Sequence, residues 1–78
     1  MDDETIKIRI VDGSGKEKKI SVKKSDSIRT AKEKADCKNY RWRIDGDILK
    51  DDKTIGFYEI ENDDVISKGE YVEGGKIQ

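Results

Sequence analysis

Two stretches near the start of the chain alternate apolar and polar residues, and this period of two constrains the fold more than any other feature. In residues 5–11 three apolar side chains share one face and two basic side chains the other: Ile6, Ile8, Ile10 against Lys7, Arg9. This alternation is typical of a half-buried β-strand. Residues 12–15 carry turn chemistry with two glycines, and Ile20 and Val22 alternate again beyond them. The sequence therefore predicts an N-terminal β-hairpin.

The next segment has the marks of one short helix. The short polar side chains at residues 25–27 can accept hydrogen bonds from the unpaired amides of a first helical turn. Ile28, Ala31 and Ala35 then fall at i, i+3 and i+7, which is one narrow apolar stripe. We expect a helix of about ten residues that ends near residues 38–39, since asparagine tolerates the left-handed conformation that closes many helices.

The second half of the chain predicts two more strands joined by short turns. Residues 40–44 form a third strand with Trp42 and Ile44 inward, and residues 45–46 form an Asp-Gly turn. Further core candidates follow it in two groups: Leu49 and Ile55, which bracket a polar turn, then a compact aromatic knot of Phe57, Tyr58 and Ile60. A last strand starts at Val65. The predicted class is α+β, in the order ββαββ, with one helix packed on a mixed sheet.

Composition excludes several kinds of function. The chain has 78 residues, a formal net charge of −1, one cysteine and no histidine. Cys37 alone cannot form an internal disulfide or a four-ligand metal site, and the commonest general base is absent. No apolar run is long enough for a signal peptide or a membrane span. We expect a monomeric, non-enzymatic protein of the cytoplasm or nucleus, without a cofactor, which binds no membrane and, by its overall charge, no nucleic acid.

The order and spacing of these elements resemble the ubiquitin-like β-grasp family over nearly the whole chain. Residues 25–35 resemble its capped helix, and residues 49–60 resemble its segment between the third and last strands. Residues 41–46, RWRIDG, are most similar to the SUMO branch. Gly74 and Gly75 fall at the spacing of the family's diglycine. The resemblance implies a domain over residues 1–73 and a flexible tail over residues 74–78.

For a conjugated modifier, the resemblance implies that the diglycine carries the chemistry. A processing protease would cleave after Gly75, and activating and conjugating enzymes would pass the Gly75 carboxylate to a catalytic cysteine and then to a target lysine. Glycine suits the narrow tunnels of such enzymes because it has no side chain to collide with them. The alternative is that Gly74 and Gly75 are a vestige of ancestry. Tyr71 and Glu73 count against conjugation, because ubiquitin has basic residues there.

Resemblance to SUMO also implies a peptide groove between the second strand and the helix. A short acidic and apolar motif of a target or receptor protein would add a strand there, lined by Ile20, Val22, Lys23, Lys24, Arg29 and Ala31. The alternative is that the lysines of this strand protect an exposed edge from aggregation. The apolar recognition patch of ubiquitin is absent, since its positions match Gly13, Arg43 and Gly69.

Two other functions share the fold. The chain is also similar to a splicing-factor ubiquitin-like domain that ends in diglycine plus a few residues, which implies a non-conjugated docking domain with protein or RNA contacts. A sulfur carrier normally ends at the diglycine, so the residues after Gly75 disfavour it. In the last strand a core aliphatic is replaced by Lys68, followed by Gly69, so we expect the chain to be weakly held from about Lys68.

Overall fold

A computed structural model describes residues 4–72 and confirms the α+β class. Its helix and strands, in chain order, are β1 Thr5–Val11, β2 Glu17–Lys23, α1 Ile28–Lys34, β3 Tyr40–Ile44, β4 Asp47–Ile48 and β5 Val65–Tyr71, with a 3₁₀ turn at Gly56–Tyr58 before β5. The predicted hairpin, helix, third strand and last strand are all present. β4 was not predicted, because a two-residue strand is too short to show a period.

One mixed sheet contains all five strands, in the order β2-β1-β5-β3-β4. The central strand β5 runs parallel to its neighbour β1, and every other pair is antiparallel. Asp45 and Gly46 both have positive φ, at 50° and 86°, which is the backbone of the tight turn that joins two antiparallel strands. This turn creates β4 and leaves β2 and β4 as the two edges of the sheet.

The core lies between one face of the sheet and α1. Most of the predicted inward side chains of β1, β2 and β3 lie in it, together with Leu49, Ile55 and Ile60, whereas Ile20 and Ile44 are partly buried and pack against it. The helix contributes its predicted stripe, since Ile28, Ala31 and Ala35 have no exposed surface. Trp42, the single tryptophan, is fully buried on β3. Apolar spacing in the sequence thus places the core correctly.

The structure differs from the sequence prediction in local detail, and the predicted end of the helix is wrong. The helix has seven residues, and Asp36, not Asn39, takes the left-handed conformation after it, with φ 59°. Phe57 lies on the 3₁₀ turn and is 61% exposed, but its ring packs edge-to-face against Tyr58 with 5.1 Å between the ring centroids, as the predicted aromatic knot requires. The last strand pairs with β3 as far as Tyr71. Lys68 is held there by its ammonium, which lies 4.1 Å from the centre of the Tyr40 ring.

The first turn of α1 is capped by the segment that follows β4. The amides of Ile28 and Arg29 donate to the carbonyls of Lys53 and Asp51, at 2.8 and 3.1 Å. The next amide donates to the Ser27 hydroxyl, as predicted for the N-cap. Because the first amides of a helix have no partner inside it, these bonds fix both the start of α1 and the path of the chain after β4.

A buried ion pair joins the same two segments. Lys32 of α1 is fully buried, and its Nζ donates to Oδ1 of Asp51 at 2.7 Å. Lys32 occupies the i+4 position of the apolar stripe that begins at Ile28. The position of Lys32 has the spacing of a buried residue, but lysine is not apolar, so the apolar pattern did not predict its burial. A buried ammonium needs a partner because its transfer out of water is costly.

Removing only the acidic partner is expected to be the most damaging change at this pair. Asp51→Ala leaves the Lys32 ammonium buried without a carboxylate and should lower the free energy of unfolding by about 3–5 kcal/mol. Lys32→Met keeps the volume and leaves Asp51 able to reach water, so its loss should be smaller. Chemical denaturation measures both variants. Equal losses, or no recovery when Lys32→Met is added to Asp51→Ala, would contradict this role.

Candidate functional site: the free edge of strand β2

Strand β2 presents one free edge, since its ladder within residues 4–72 is with β1 alone. At the two ends of this ladder the amide of Asp12 donates to Lys16 and the amide of Lys24 donates to Glu4. Hydrogen-bonded and non-hydrogen-bonded pairs alternate between these ends. The backbone groups of Lys19 and Ser21 therefore point away from the sheet, where an added strand could pair with them.

Asp26 closes this edge at its far end. Its carboxylate accepts from the backbone amide of Lys23 at 2.9 Å and from the Lys34 ammonium at 3.0 Å, and its own amide donates to the Lys23 carbonyl. Partial burial opposes ionisation of Asp26, but these donors outweigh it and hold its pKa below the ordinary value. The open part of the edge is thus confined to the backbone before Lys23.

The lysines of β2 differ in what they contact. Lys19 and Lys23 are exposed. Lys18 points to the inner side of the sheet, where its Nζ donates to the carbonyl of Ala35 at 3.0 Å, at the end of the helix. Lys18 therefore connects the strand to α1, and the positive charge at the open edge comes from Lys19 and Lys23.

The structure brings together only part of the predicted groove. Val22 and Ala31 are sealed in the core, and Ile20 is half-buried against it, so none of these three forms an open apolar floor. Arg29 of α1 and Lys23 of β2 are exposed on the two sides of the predicted groove. The peptide groove remains a prediction, and what the described residues offer for it is the backbone of β2 flanked by basic side chains.

Lys24, also predicted to line the groove, is engaged elsewhere. Its ammonium lies 3.2 Å from a carboxylate oxygen of Glu61 and 3.7 Å from one of Glu4, and its carbonyl accepts from the amide of Gly56. The hydrogen bond to Glu61 raises the pKa of Lys24 above its ordinary value. Lys24 thus joins the end of β2 to the segments before β5.

The other chemical candidates offer little within residues 4–72. Gly74 and Gly75, the predicted conjugation site, lie outside the described residues. Cys37 is buried, and its Sγ lies 3.3 Å from the carbonyl of Ala35. Among the described residues there is no cluster of three or more potential metal ligands, and no helix is long and apolar enough to cross a membrane.

The contacts of Asp26 predict an acid-dependent loss of stability. The pKa of Asp26 is lowered in the folded state. Its contribution to the free energy of unfolding is therefore complete above the unfolded pKa, roughly 4, and is lost as the pH falls through the folded pKa. Asp26→Asn should therefore lower the melting temperature at neutral pH, and the gap from the unchanged protein should narrow below about pH 4. Asp52→Asn, at an exposed aspartate, is the control. A gap that stays constant with pH would refute the assignment.

Comparison with known proteins supports the fold through structure alone. No family model matches the chain, and no curated protein matches its sequence. Among solved structures, the chain is similar to the crystal structure of the UBL domain of Plasmodium falciparum Dsk2, with a TM-score of 0.77 and 17% sequence identity. The match covers 85% of this chain and 97% of that one. Together with one helix packed on a five-stranded mixed sheet, this similarity shows that the chain has the ubiquitin-like β-grasp fold.

Proposed function

We propose that the chain is a ubiquitin-like protein modifier whose precursor is cleaved after Gly75 and whose Gly75 carboxylate is then joined to lysines of target proteins. The observation that carries the proposal is the position of the diglycine on this fold. The last strand ends at Tyr71, and Gly74 and Gly75 follow it at the spacing of a conjugated tail. A processing protease and activating and conjugating enzymes would be its partners, and the domain itself would perform no catalysis.

The burial of lysines limits how such a modifier could form chains. Lys32 matches a lysine of ubiquitin, but its ammonium is enclosed and bound to Asp51. Lys16 and Lys34 match two other ubiquitin lysines. Lys16 is exposed, whereas Lys34 is exposed but paired with Asp26. If copies of the chain are linked to one another, Lys16 is the most accessible acceptor of these three.

Conjugation is tested by intact mass and by blotting after incubation in an active lysate from the protein's own source. The unchanged chain should lose residues 76–78 and give adducts of higher mass, and Gly75→Ala should give none. Gly13→Ala is a matched glycine control, because a Cβ at Gly13 would meet no atom within 4 Å. Unchanged mass and no adducts in a lysate that conjugates ubiquitin would overturn the proposal.

A non-conjugated docking domain is the second candidate, and the free edge of β2 favours it. The outward backbone groups of Lys19 and Ser21 could pair with an extended peptide, while Lys19 and Lys23 flank them with positive charge. A short acidic and apolar motif in a receptor protein has the matching chemistry. A modifier could use the same edge to be recognised after attachment, so the two functions are compatible.

Edge pairing is tested by removing one outward amide. Ser21→Pro deletes an N–H that β1 does not use, and proline is tolerated at such edge positions. It should abolish binding of a fluorescein-labelled peptide in which aspartates flank a run of isoleucine and valine, while Ser21→Ala retains binding. Fluorescence anisotropy measures the affinity. Equal affinity of both variants would exclude strand addition at β2.

A further inference from the structure

The outer face of the sheet, opposite the face that packs on α1, concentrates positive charge. Strand register places on this face six basic side chains, Lys7, Arg9, Lys19, Lys23, Arg41 and Arg43, and two acidic ones, Glu17 and Glu70. The whole chain has a net charge of −1. Because the outer face is strongly basic, the compensating acidic residues lie elsewhere on the molecule, and the face presents a field that the net charge conceals.

Part of this charge is arranged at a cost to the fold. Arg9 and Lys19 are direct partners in the β1–β2 register, and Lys7 lies diagonally between Lys19 and Lys23. Like charges placed directly opposite each other destabilise a sheet. Glu17 approaches Arg9 at 3.7 Å, but within residues 4–72 no ion pair joins Lys7, Lys19 or Lys23 to a carboxylate. A bound anionic partner would relieve this repulsion.

The arginines of β3 are positioned differently. Arg41 and Arg43 both contact the carboxylate of Glu70, and Nε of Arg41 is buried with no hydrogen-bond partner in the described structure. A Cβ at Gly69 would lie 2.9 Å from Nη1 of Arg43. The absence of a side chain at Gly69 is therefore what lets the Arg43 guanidinium lie across β5. Two guanidinium groups share one carboxylate, so this end of the face also keeps an excess of positive charge.

Two exposed aliphatic side chains lie among these charges. Val65 is 44% exposed beside Arg9 in the register, and Ile48 is 38% exposed beside Arg43. No aromatic side chain of the described strands points to this face, so nucleic-acid bases would find no ring to stack on. Basic groups interspersed with aliphatic ones instead match a protein segment in which carboxylates alternate with aliphatic side chains.

We propose that the outer face of the sheet binds an acidic segment of another protein that carries aliphatic residues. Its carboxylates pair with Lys7, Arg9 and Lys19, and its aliphatic side chains cover Val65 and Ile48. This contact is made by side chains across the face, whereas strand addition at β2 is made by backbone at the edge. Lys19 borders both surfaces, but Lys7 and Arg9 of β1 belong to the face alone and the outward amide of Ser21 belongs to the edge alone. Mutations at those positions therefore separate the two surfaces, and neither depends on Gly75.

The probe is a fluorescein-labelled peptide of alternating glutamate and isoleucine, titrated with the protein at low and physiological salt. The double variant Lys7→Gln, Arg9→Gln should weaken binding about tenfold or more and reduce the salt dependence. The control is Lys38→Gln, Lys50→Gln, which removes the same charge from exposed lysines outside the sheet face. Ser21→Pro removes the edge amide but no charge, so it should weaken this binding far less than the double variant does. Failure of edge pairing and failure of this proposal are therefore distinguishable.

A single charge reversal gives a second and independent test. Lys19→Glu replaces a like-charge contact with Arg9 by an attractive one, so the melting temperature should rise while peptide affinity falls. A destabilised domain cannot explain that combination. Equal weakening by the control pair, unchanged affinity in Lys19→Glu, or tighter binding of a uridine oligonucleotide than of the peptide would each overturn the proposal.

Discussion

The buried contact between Lys32 and Asp51 is the constraint on which the rest of the arrangement depends. A helix of seven residues is too short to be stable in water by itself. Here the segment that supplies the buried carboxylate also supplies the carbonyls that cap the first turn. The helix, the crossing after β4 and the wall of the core beside Trp42 are thus fixed together. Loss of the Asp51 carboxylate would disturb all three, although the pair contributes little apolar area.

The sequence predicted the parts of the fold that depend on apolar period. The isoleucines of β1 and the stripe from Ile28 to Ala35 are visible because each apolar residue is followed by another at the expected spacing. Lys32 escaped that reasoning because its burial depends on a partner nineteen positions away. The end of the helix was misplaced because an aspartate, Asp36, adopts the left-handed conformation expected of an asparagine.

The candidate site was predictable in location and less so in detail. Basic residues on the second strand indicated an edge, and the structure has β2 at the edge. Which side chains are open there depends on how closely the helix packs. Ala31 and Val22 have almost no exposed surface, so neither side chain is open to a peptide. The ammonium of Lys24 is not available at the edge because it forms an ion pair with Glu61, which lies far along the chain.

Trp42 gives the molecule a built-in reporter. It is the single tryptophan, it is fully enclosed, its indole nitrogen has no hydrogen-bond partner in the described structure, and the Lys32 ammonium lies 6.0 Å from its ring. An indole in this dry setting emits at shorter wavelength than one in water. The intrinsic fluorescence of the unlabelled protein therefore distinguishes loosening of the core, which exposes the ring to water, from changes at the charged outer face, which leave the emission wavelength unchanged.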